Sequence, residues 1–301
     1  MLSMETNVRV TVAAALAPIA WGSGYYVTQE FLPPDRPLFG AAVRALPFGL
    51  LLLAIRPGLL HGSWWWRTAL LGALNFAAFF VLIFIAAYRL PSGVAATLTA
   101  TAPLVVMLFA WLLAAERPRA LSLVAAAIGI VGVAVLVLRG GTTLDTVGVL
   151  ASLGAVVCSS LGFVLVKIWQ PPVELLTFTA WQLVFGGLLL APIALVVEGA
   201  PPALDVKALG GFAYLGLVGT VLAYLVWFRG LRTLPAAAVS LIGLLNPVAG
   251  AVIGATLAHE VFTATQVLGI VLVLGGVLLG QLATRRSPRG HSMRRLAATR
   301  R

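Results

Sequence analysis

The feature that most constrains this chain is a series of apolar runs, each about 20 residues long, from one end to the other. A helix rises ~1.5 Å per residue, so a run of this length crosses the ~30 Å hydrocarbon core of a bilayer. Breaks at proline, glycine and charge clusters place the runs at 8–29, 38–55, 68–88, 93–114, 120–138, 146–167, 174–197, 208–228, 236–258 and 264–283. The pattern predicts an all-α integral membrane protein with ten transmembrane helices.

Composition argues against a soluble protein. Of the 301 residues, 61% are hydrophobic and 10% are charged, which is more apolar surface than a single soluble core can bury. The net charge of +11 would suggest a nucleic-acid partner in a soluble protein. Here the basic residues lie between apolar runs and in the tail, so we expect no nucleic-acid partner. Cys158 is the single cysteine, which excludes a disulfide framework and a cysteine metal cluster.

The basic residues also predict the topology. If the N-terminus is inside, the cytoplasmic loops carry more Lys and Arg than the opposite loops, as the positive-inside rule requires. An even number of spans then puts both termini in the cytoplasm. We therefore expect a multi-pass protein of the cell (cytoplasmic) membrane. Its basic tail, 284–301, would be a stop signal that trails into the cytoplasm or a contact for anionic membrane lipid.

An internal repeat divides the chain into halves. Four anchors, Leu90-Pro91, Pro103, Glu116 and Gly132, recur 144 residues later as Leu234-Pro235, Pro247, Glu260 and Gly276. Further towards the N-terminus the offset becomes 138, where Arg44 corresponds to Gln182. Each half, 8–138 and 146–283, holds five spans, so the two copies must enter the membrane from opposite sides. Inverted repeats of this kind favour transport by alternating access.

These features resemble the drug/metabolite transporter superfamily, in particular ten-helix proteins with two EamA-type repeats. The resemblance rests on Trp21-Gly22-Ser23, on Arg44, and on an apolar helix in each half with a mid-helix proline and a terminal Glu116 or Glu260. It covers roughly residues 10 to 283. It implies a secondary transporter that exports metabolites, amino acids or toxic compounds through a central cavity, often in exchange for protons.

A narrower resemblance, to pigment exporters of the indigoidine type, rests on two segments. The first, Val27–Leu52, contains Phe31-Leu32-Pro33-Pro34 and Arg44-Ala45-Leu46-Pro47. The second is Ser63-Trp64-Trp65-Trp66-Arg67. The tryptophan cluster is also typical of a membrane-interface anchor.

Arg44 is an ion in the middle of an apolar span. Such a residue should face protein or water and is a candidate for holding an anionic substrate group. Two alternatives stay open: a structural bond to carbonyls at a helix break near Pro47, and snorkelling to the interface.

Other polar and aromatic side chains within or near the spans are candidates for a substrate pathway, although helix packing and interface anchoring explain each one equally well. The candidates are Trp21, Tyr25, Arg44, Asn75, Phe79, Thr101, Trp181, Gln182, Tyr224, Trp227 and Asn246.

Four residues at equivalent places in the two halves are candidates for hinges or gates: Pro103, Glu116, Pro247 and Glu260. His259-Glu260 is the one adjacent pair that suits proton coupling, and solvated loop ends are the alternative. The small-xxx-small spacings Gly250–Gly254 and Gly276–Gly280 suit close helix packing or a homodimer.

Motifs for other energy sources and chemistries are missing. The sequence has no phosphate-binding loop for ATP, and its three histidines have no metal-ligand spacing. We therefore expect no metal, no cofactor and no catalytic residues. The sequence predicts a transporter of small molecules. The competing hypotheses are a membrane scaffold or receptor without transport activity and an intramembrane enzyme that acts on lipid.

Overall fold

The structure is a computed structural model that describes residues 2–90, 98–137, 145–258 and 264–285. Every regular element within these ranges is a helix. Six helices are long and apolar enough to cross a bilayer, at Asn7–Phe31, Pro37–Ile55, Trp64–Arg89, Thr146–Trp169, Leu175–Val197 and Val206–Thr233. Four shorter apolar helices accompany them, at Ala102–Ala114, Ala120–Val135, Ala236–Gly250 and Val267–Ala283. The chain is thus an all-helical, multi-pass membrane protein.

The helices follow in chain order with short connections. The first half contains α1 (Leu2–Gly22), α2 (Gly24–Phe31), α3 (Pro37–Ile55), α4 (Trp64–Gly72), the π-helical stretch π1 (Ala73–Ala78), α5 (Phe79–Arg89), α6 (Ala102–Ala114) and α7 (Ala120–Val137). The second half contains α8 (Thr146–Trp169), α9 (Leu175–Val197), α10 (Val206–Gly216), the π-helical stretch π2 (Leu217–Leu222), α11 (Ala223–Thr233), α12 (Ala236–Ile242), α13 (Leu245–Ala258) and α14 (Ala264–Arg285).

Three predicted spans are broken where the sequence analysis expects continuous helices. The first span divides at Ser23, whose hydroxyl donates to the Ala20 carbonyl at 2.8 Å. The ninth divides at Gly243-Leu244. In the fourth, a turn at Ala100-Thr101 precedes α6, and residues 91–97 lie outside the described ranges. The length of an apolar run does not show whether the helix within it is continuous. A glycine, or a serine hydroxyl that bonds to the backbone of its own helix, lowers the free-energy cost of a break.

The prolines that the sequence analysis places in mid-helix lie instead in the first turn. Pro103 is the second residue of α6, and Pro247 is the third residue of α13. The N–H groups of the first turn have no partner within the helix, so proline costs little there. The helix breaks just before these turns explain the difference.

Two antiparallel helix pairs pack through glycine. In the pair of α3 and α9, a Cβ on Gly49 would lie 2.8 Å from the Val184 nitrogen, and one on Gly187 would lie 2.7 Å from the Leu46 Cα. The pair of α7 and α14 repeats the arrangement at Gly132 and Gly276. Both pairs are reciprocal, because each glycine meets the residue three positions before the partner glycine in the opposite helix. Only glycine lets the backbones approach this closely.

Both ends of the α3 and α9 pair are tied by charge. At one end Arg56 forms a two-bonded ion pair with Glu174, with nitrogen–oxygen distances of 2.9 and 2.8 Å, and this lowers the pKa of the Glu174 carboxyl. At the other end the Glu198 carboxylate accepts from the backbone N–H groups of Leu38 and Phe39 at 2.7 and 2.9 Å. The carboxylate thus caps the positive end of α3.

Candidate functional site

A cavity of about 1090 Å³, counting its open mouth, lies between the two halves. Helices from both halves line it, and each of the three helix breaks contributes to the wall. Its lining residues are Trp21, Gly24, Thr28, Arg44, Phe79, Ile83, Phe84, Ala87, Thr99, Ala100, Ala102, Pro103, Val106, Val156, Ser159, Phe163, Tyr224, Trp227, Ser240, Gly243, Leu244, Asn246 and Pro247. Broken helices at a central cavity are typical of secondary transporters.

Arg44 is the cation of the cavity wall, and it is 8% exposed. Its Nε donates to the Thr220 hydroxyl at 2.8 Å, and its Nη2 donates to the Gly219 carbonyl at 3.1 Å. The guanidinium carbon lies 4.2 Å from the centre of the Phe80 ring, which is a cation–π contact. These bonds cross from the first half of the chain to the second.

The Gly219 carbonyl can accept because it belongs to π2. A π-helix bonds with residue i+5 and so interrupts the regular α-helical ladder, often at functional sites. Besides Arg44, this carbonyl accepts from the indole N–H of Trp21 at 2.9 Å. The Thr220 hydroxyl donates to the Leu215 carbonyl at 2.8 Å and is held in place as an acceptor for Arg44.

The first half has a matching arrangement around π1, which lies 144 residues before π2. The Asn75 carbonyl, equivalent to that of Gly219, accepts from the Tyr224 hydroxyl at 3.2 Å. The Asn75 amide donates to Gln182 at 3.0 Å, and Gln182 is the equivalent of Arg44. In each half, therefore, the α3 or α9 polar residue contacts the π stretch of the other half.

Aromatic rings form the wall beside Arg44. The Trp21 ring centre lies 5.1 Å from that of Trp227 and 5.4 Å from that of Tyr224. Phe163 packs against Trp227 at 5.6 Å between ring centres. The indole N–H of Trp227 is buried and has no hydrogen-bond acceptor. These aromatic rings thus form an apolar part of the lining, in which the Trp227 N–H has no described acceptor.

Among the described residues, the cavity lining reaches closer to one end of the helices than to the other. On α5 the lining reaches Ala87, close to Arg89, which pairs with Asp145 at 3.4 Å. On α8 the lining stops at Phe163, one turn before Lys167.

A polar link lies beyond the lining at the opposite end. The Lys167 ammonium lies 3.1 Å from the Glu116 carboxylate and donates to the Leu234 carbonyl at 2.9 Å. This link joins the ends of α6, α8 and α11, and so joins the two halves. The described lining therefore reaches close to the Arg89 end, and the link between Lys167 and Glu116 lies beyond the lining at the other end.

Comparison with known proteins decides the family. The profile described as the EamA-like transporter family matches residues 9–138 and again residues 146–280. The chain belongs to the EamA-like transporter family. The predicted membership of the drug/metabolite transporter superfamily, in its EamA-type family, is thereby confirmed.

Individual relatives agree with this membership. Protein PecM of Dickeya dadantii (strain 3937) is 37% identical over 270 residues, covering 89% of this chain and 91% of that protein. The inner membrane transporter YedA of Escherichia coli (strain K12) is 28% identical and covers 87% of each chain. A chain of a solved crystal structure has the same fold, with a TM-score of 0.78, 19% identity and coverage of 93% of this chain and 98% of its own.

The structure brings together most of the pathway candidates of this EamA-like transporter. The six that line the cavity are Trp21, Arg44, Phe79, Tyr224, Trp227 and Asn246. The proposed hinge residues Pro103 and Pro247 lie in the same wall.

The other candidates are not among the described lining residues. Asn75 and Gln182 bond to each other, Thr101 donates to the Leu98 carbonyl at 2.6 Å, and Trp181 donates to the Gly58 carbonyl at 2.8 Å. Tyr25 belongs to α2, but its side chain is outside the described part of the structure.

Some residues that were predicted to act as a gate or to bind a partner lie outside the described part of the structure. Glu260, His259 and the tail after Arg285 lie outside the described residues. Gly276 and Gly280 contact α7 and Leu241 within the chain. A homodimer stays a prediction.

The sequence analysis did not select several lining or contacting residues. Phe80, which stacks on Arg44, is the repeat equivalent of Tyr224, so the 144-residue offset was a signal for it. Val156, Ser159 and Phe163 share one face of α8 at helical spacing, but apolar helices in lipid have such faces on every side.

Proposed function

We propose that this EamA-like transporter is a secondary transporter that exports small organic metabolites across the cytoplasmic membrane by alternating access. The observation that carries the proposal is the cavity lined by both halves, whose described lining reaches close to one end of the helices and has a polar link beyond its other end. A site of this kind at the interface of repeats is what alternating access requires.

The proposed architecture is ten transmembrane helices in two inverted five-helix repeats, 8–138 and 146–283. Three observations support it: the family profile matches each half, π1 and π2 lie 144 residues apart, and the glycine contacts are reciprocal. Reciprocal contacts are what a pseudo-two-fold axis in the membrane plane produces.

With both termini in the cytoplasm, as the loop charges predict, the Lys167 end of the cavity faces the cytoplasm. The described conformation is then the outward-open one. To load substrate from the cytoplasm, the bond between Lys167 and Glu116 must break. Glu116 is therefore proposed as a gate, with Glu260 as its counterpart on the other face. The first turns at Pro103 and Pro247 are proposed as hinges.

Proton coupling and the substrate range are the finer parts of the proposal. Coupling to protons follows from the family resemblance, and His259-Glu260 is the pair proposed for it. The resemblance of Val27–Leu52 to indigoidine-type pigment exporters adds pigment-like compounds to amino-acid-like and drug-like ones. The 37% identity with Protein PecM, over 89% of this chain, supports placing the chain in one branch with that protein.

The test is flux of a mixed metabolite panel from proteoliposomes, with and without an imposed pH gradient. We expect the native chain to release panel members faster than protein-free liposomes, and Arg44→Ala to abolish this release. Folded native protein that releases no panel member would contradict the proposal and favour a scaffold or receptor. Chemical change of phospholipid in the same vesicles would instead favour an intramembrane enzyme.

A further inference from the structure

The cavity contains a buried cation without a counter-ion. Arg44 forms its described bonds with a hydroxyl and a carbonyl, both neutral. No Asp or Glu occurs among the described lining residues. A buried ion is expensive unless an opposite charge or a full set of hydrogen bonds compensates it. A bound anion would therefore compensate the charge of Arg44.

The guanidinium is held in place but not saturated. A guanidinium carries five N–H donors in a fixed plane, and the described bonds of Arg44 use one on Nε and one on Nη2. The remaining donors suit the paired oxygens of a carboxylate, which arginine binds through two parallel bonds. Contact with Phe80 and the bond to Thr220 fix the plane before any ligand binds.

The aromatic rings of the lining lie next to Arg44. The Gly219 carbonyl accepts from both Arg44 and Trp21, so the cation and the first aromatic ring lie side by side. Trp227 packs against Trp21 and has an unused indole N–H. An anion bound by Arg44 that carries a flat apolar body would place that body along these rings.

We propose that the cavity selects organic anions with a planar apolar body, with the anionic group on Arg44 and the body against Trp21, Trp227 and Phe163. This inference rests on the proposed function and specifies its substrate class. Cations are excluded because they meet a fixed positive charge and no described carboxylate in the wall.

The test compares three probes with one ring and different charge: naphthalene-2-sulfonate, naphthalene-2-sulfonamide and 2-naphthylmethylammonium. Binding to the purified full chain in detergent is measured by isothermal titration calorimetry. We expect the sulfonate to bind at least about tenfold tighter than the sulfonamide, which is about 1.4 kcal/mol, and the ammonium not to bind. Equal binding of sulfonate and sulfonamide, or preference for the ammonium, would overturn the proposal.

Three variants locate the preference. Arg44→Gln should remove it, whereas Arg56→Gln, which takes a cation from the same helix at the membrane face, should retain it. Trp227→Phe replaces the indole with a smaller ring, and should weaken binding of the sulfonate and the sulfonamide alike without changing their order. A sulfonate preference that survives Arg44→Gln would refute the assignment. If Arg44→Gln does not fold, Arg44→Lys replaces it, since a point charge without the planar fork should reduce the preference severalfold.

The outcomes separate the inference from the proposed function. Selective anion binding without any flux in proteoliposomes would contradict transport but keep the site. Flux of neutral or cationic panel members without anion preference would keep transport and refute the substrate class.

Discussion

At the scale of single residues, Arg44 is determined by partners far away in the sequence. Its acceptors, Gly219 and Thr220, lie more than 170 residues further along the chain. Arg44 could be selected as a candidate from the sequence, because an ion in an apolar span is costly. The two acceptors could not be predicted from the sequence. A π-helical stretch differs from an α-helix in its backbone hydrogen bonding and not in its composition.

Thr220→Val tests this arrangement at nearly constant volume. The change leaves the Nε donor of Arg44 without an acceptor, which costs roughly 1–3 kcal/mol for a buried group. We expect a lower thermal unfolding midpoint and weaker binding of naphthalene-2-sulfonate. The matched control is Thr256→Val, because the exposed Thr256 hydroxyl bonds only to Ile253 in its own helix. Equal thermal shifts for the two variants would contradict the role of Thr220.

At the scale of helices, apolar runs predicted where the chain crosses the membrane but not where its helices break. The predicted first and ninth spans each divide in two, and the prolines expected in mid-helix lie in first turns. Hydropathy averages over a window and so loses a break of one or two residues. Those helix breaks contribute to the cavity lining. The part of the site that could not be predicted from the sequence is therefore the part formed where helices are interrupted.

Two adjacent glycines of α14 test the helix crossings. A Cβ on Gly276 would lie 2.8 Å from the Ala125 carbonyl oxygen, whereas one on Gly275 would meet nothing within 4 Å. We expect Gly276→Ala to cost roughly 1–3 kcal/mol by overpacking and Gly275→Ala to be neutral or slightly stabilising. Retention of the monodisperse fraction after heating measures both. Similar losses for the two variants would count against the crossing.

At the scale of the whole molecule, the link between Lys167 and Glu116 is the proposed gate at one end of the cavity. We expect Glu116→Gln to raise access to the cavity from the cytoplasmic side. The reporter is Ile83→Cys in a Cys158→Ser background, labelled with an impermeant maleimide from either face of oriented vesicles. Glu30→Gln, which removes an exposed acid elsewhere, is the control. Unchanged labelling from the cytoplasmic side in Glu116→Gln would contradict the gate.

The central claim is that the chain carries an organic anion outward through alternating access. Net charge then moves with each cycle, so an inside-negative potential drives export by ~2.3 kcal/mol per charge per 100 mV. The most direct measurement is efflux of naphthalene-2-sulfonate from proteoliposomes with a potassium-diffusion potential set by valinomycin. The account predicts saturable, protein-dependent efflux that rises with inside-negative potential and is absent in Arg44→Gln. Efflux equal to that of protein-free liposomes at every potential, with folded native protein, would contradict it.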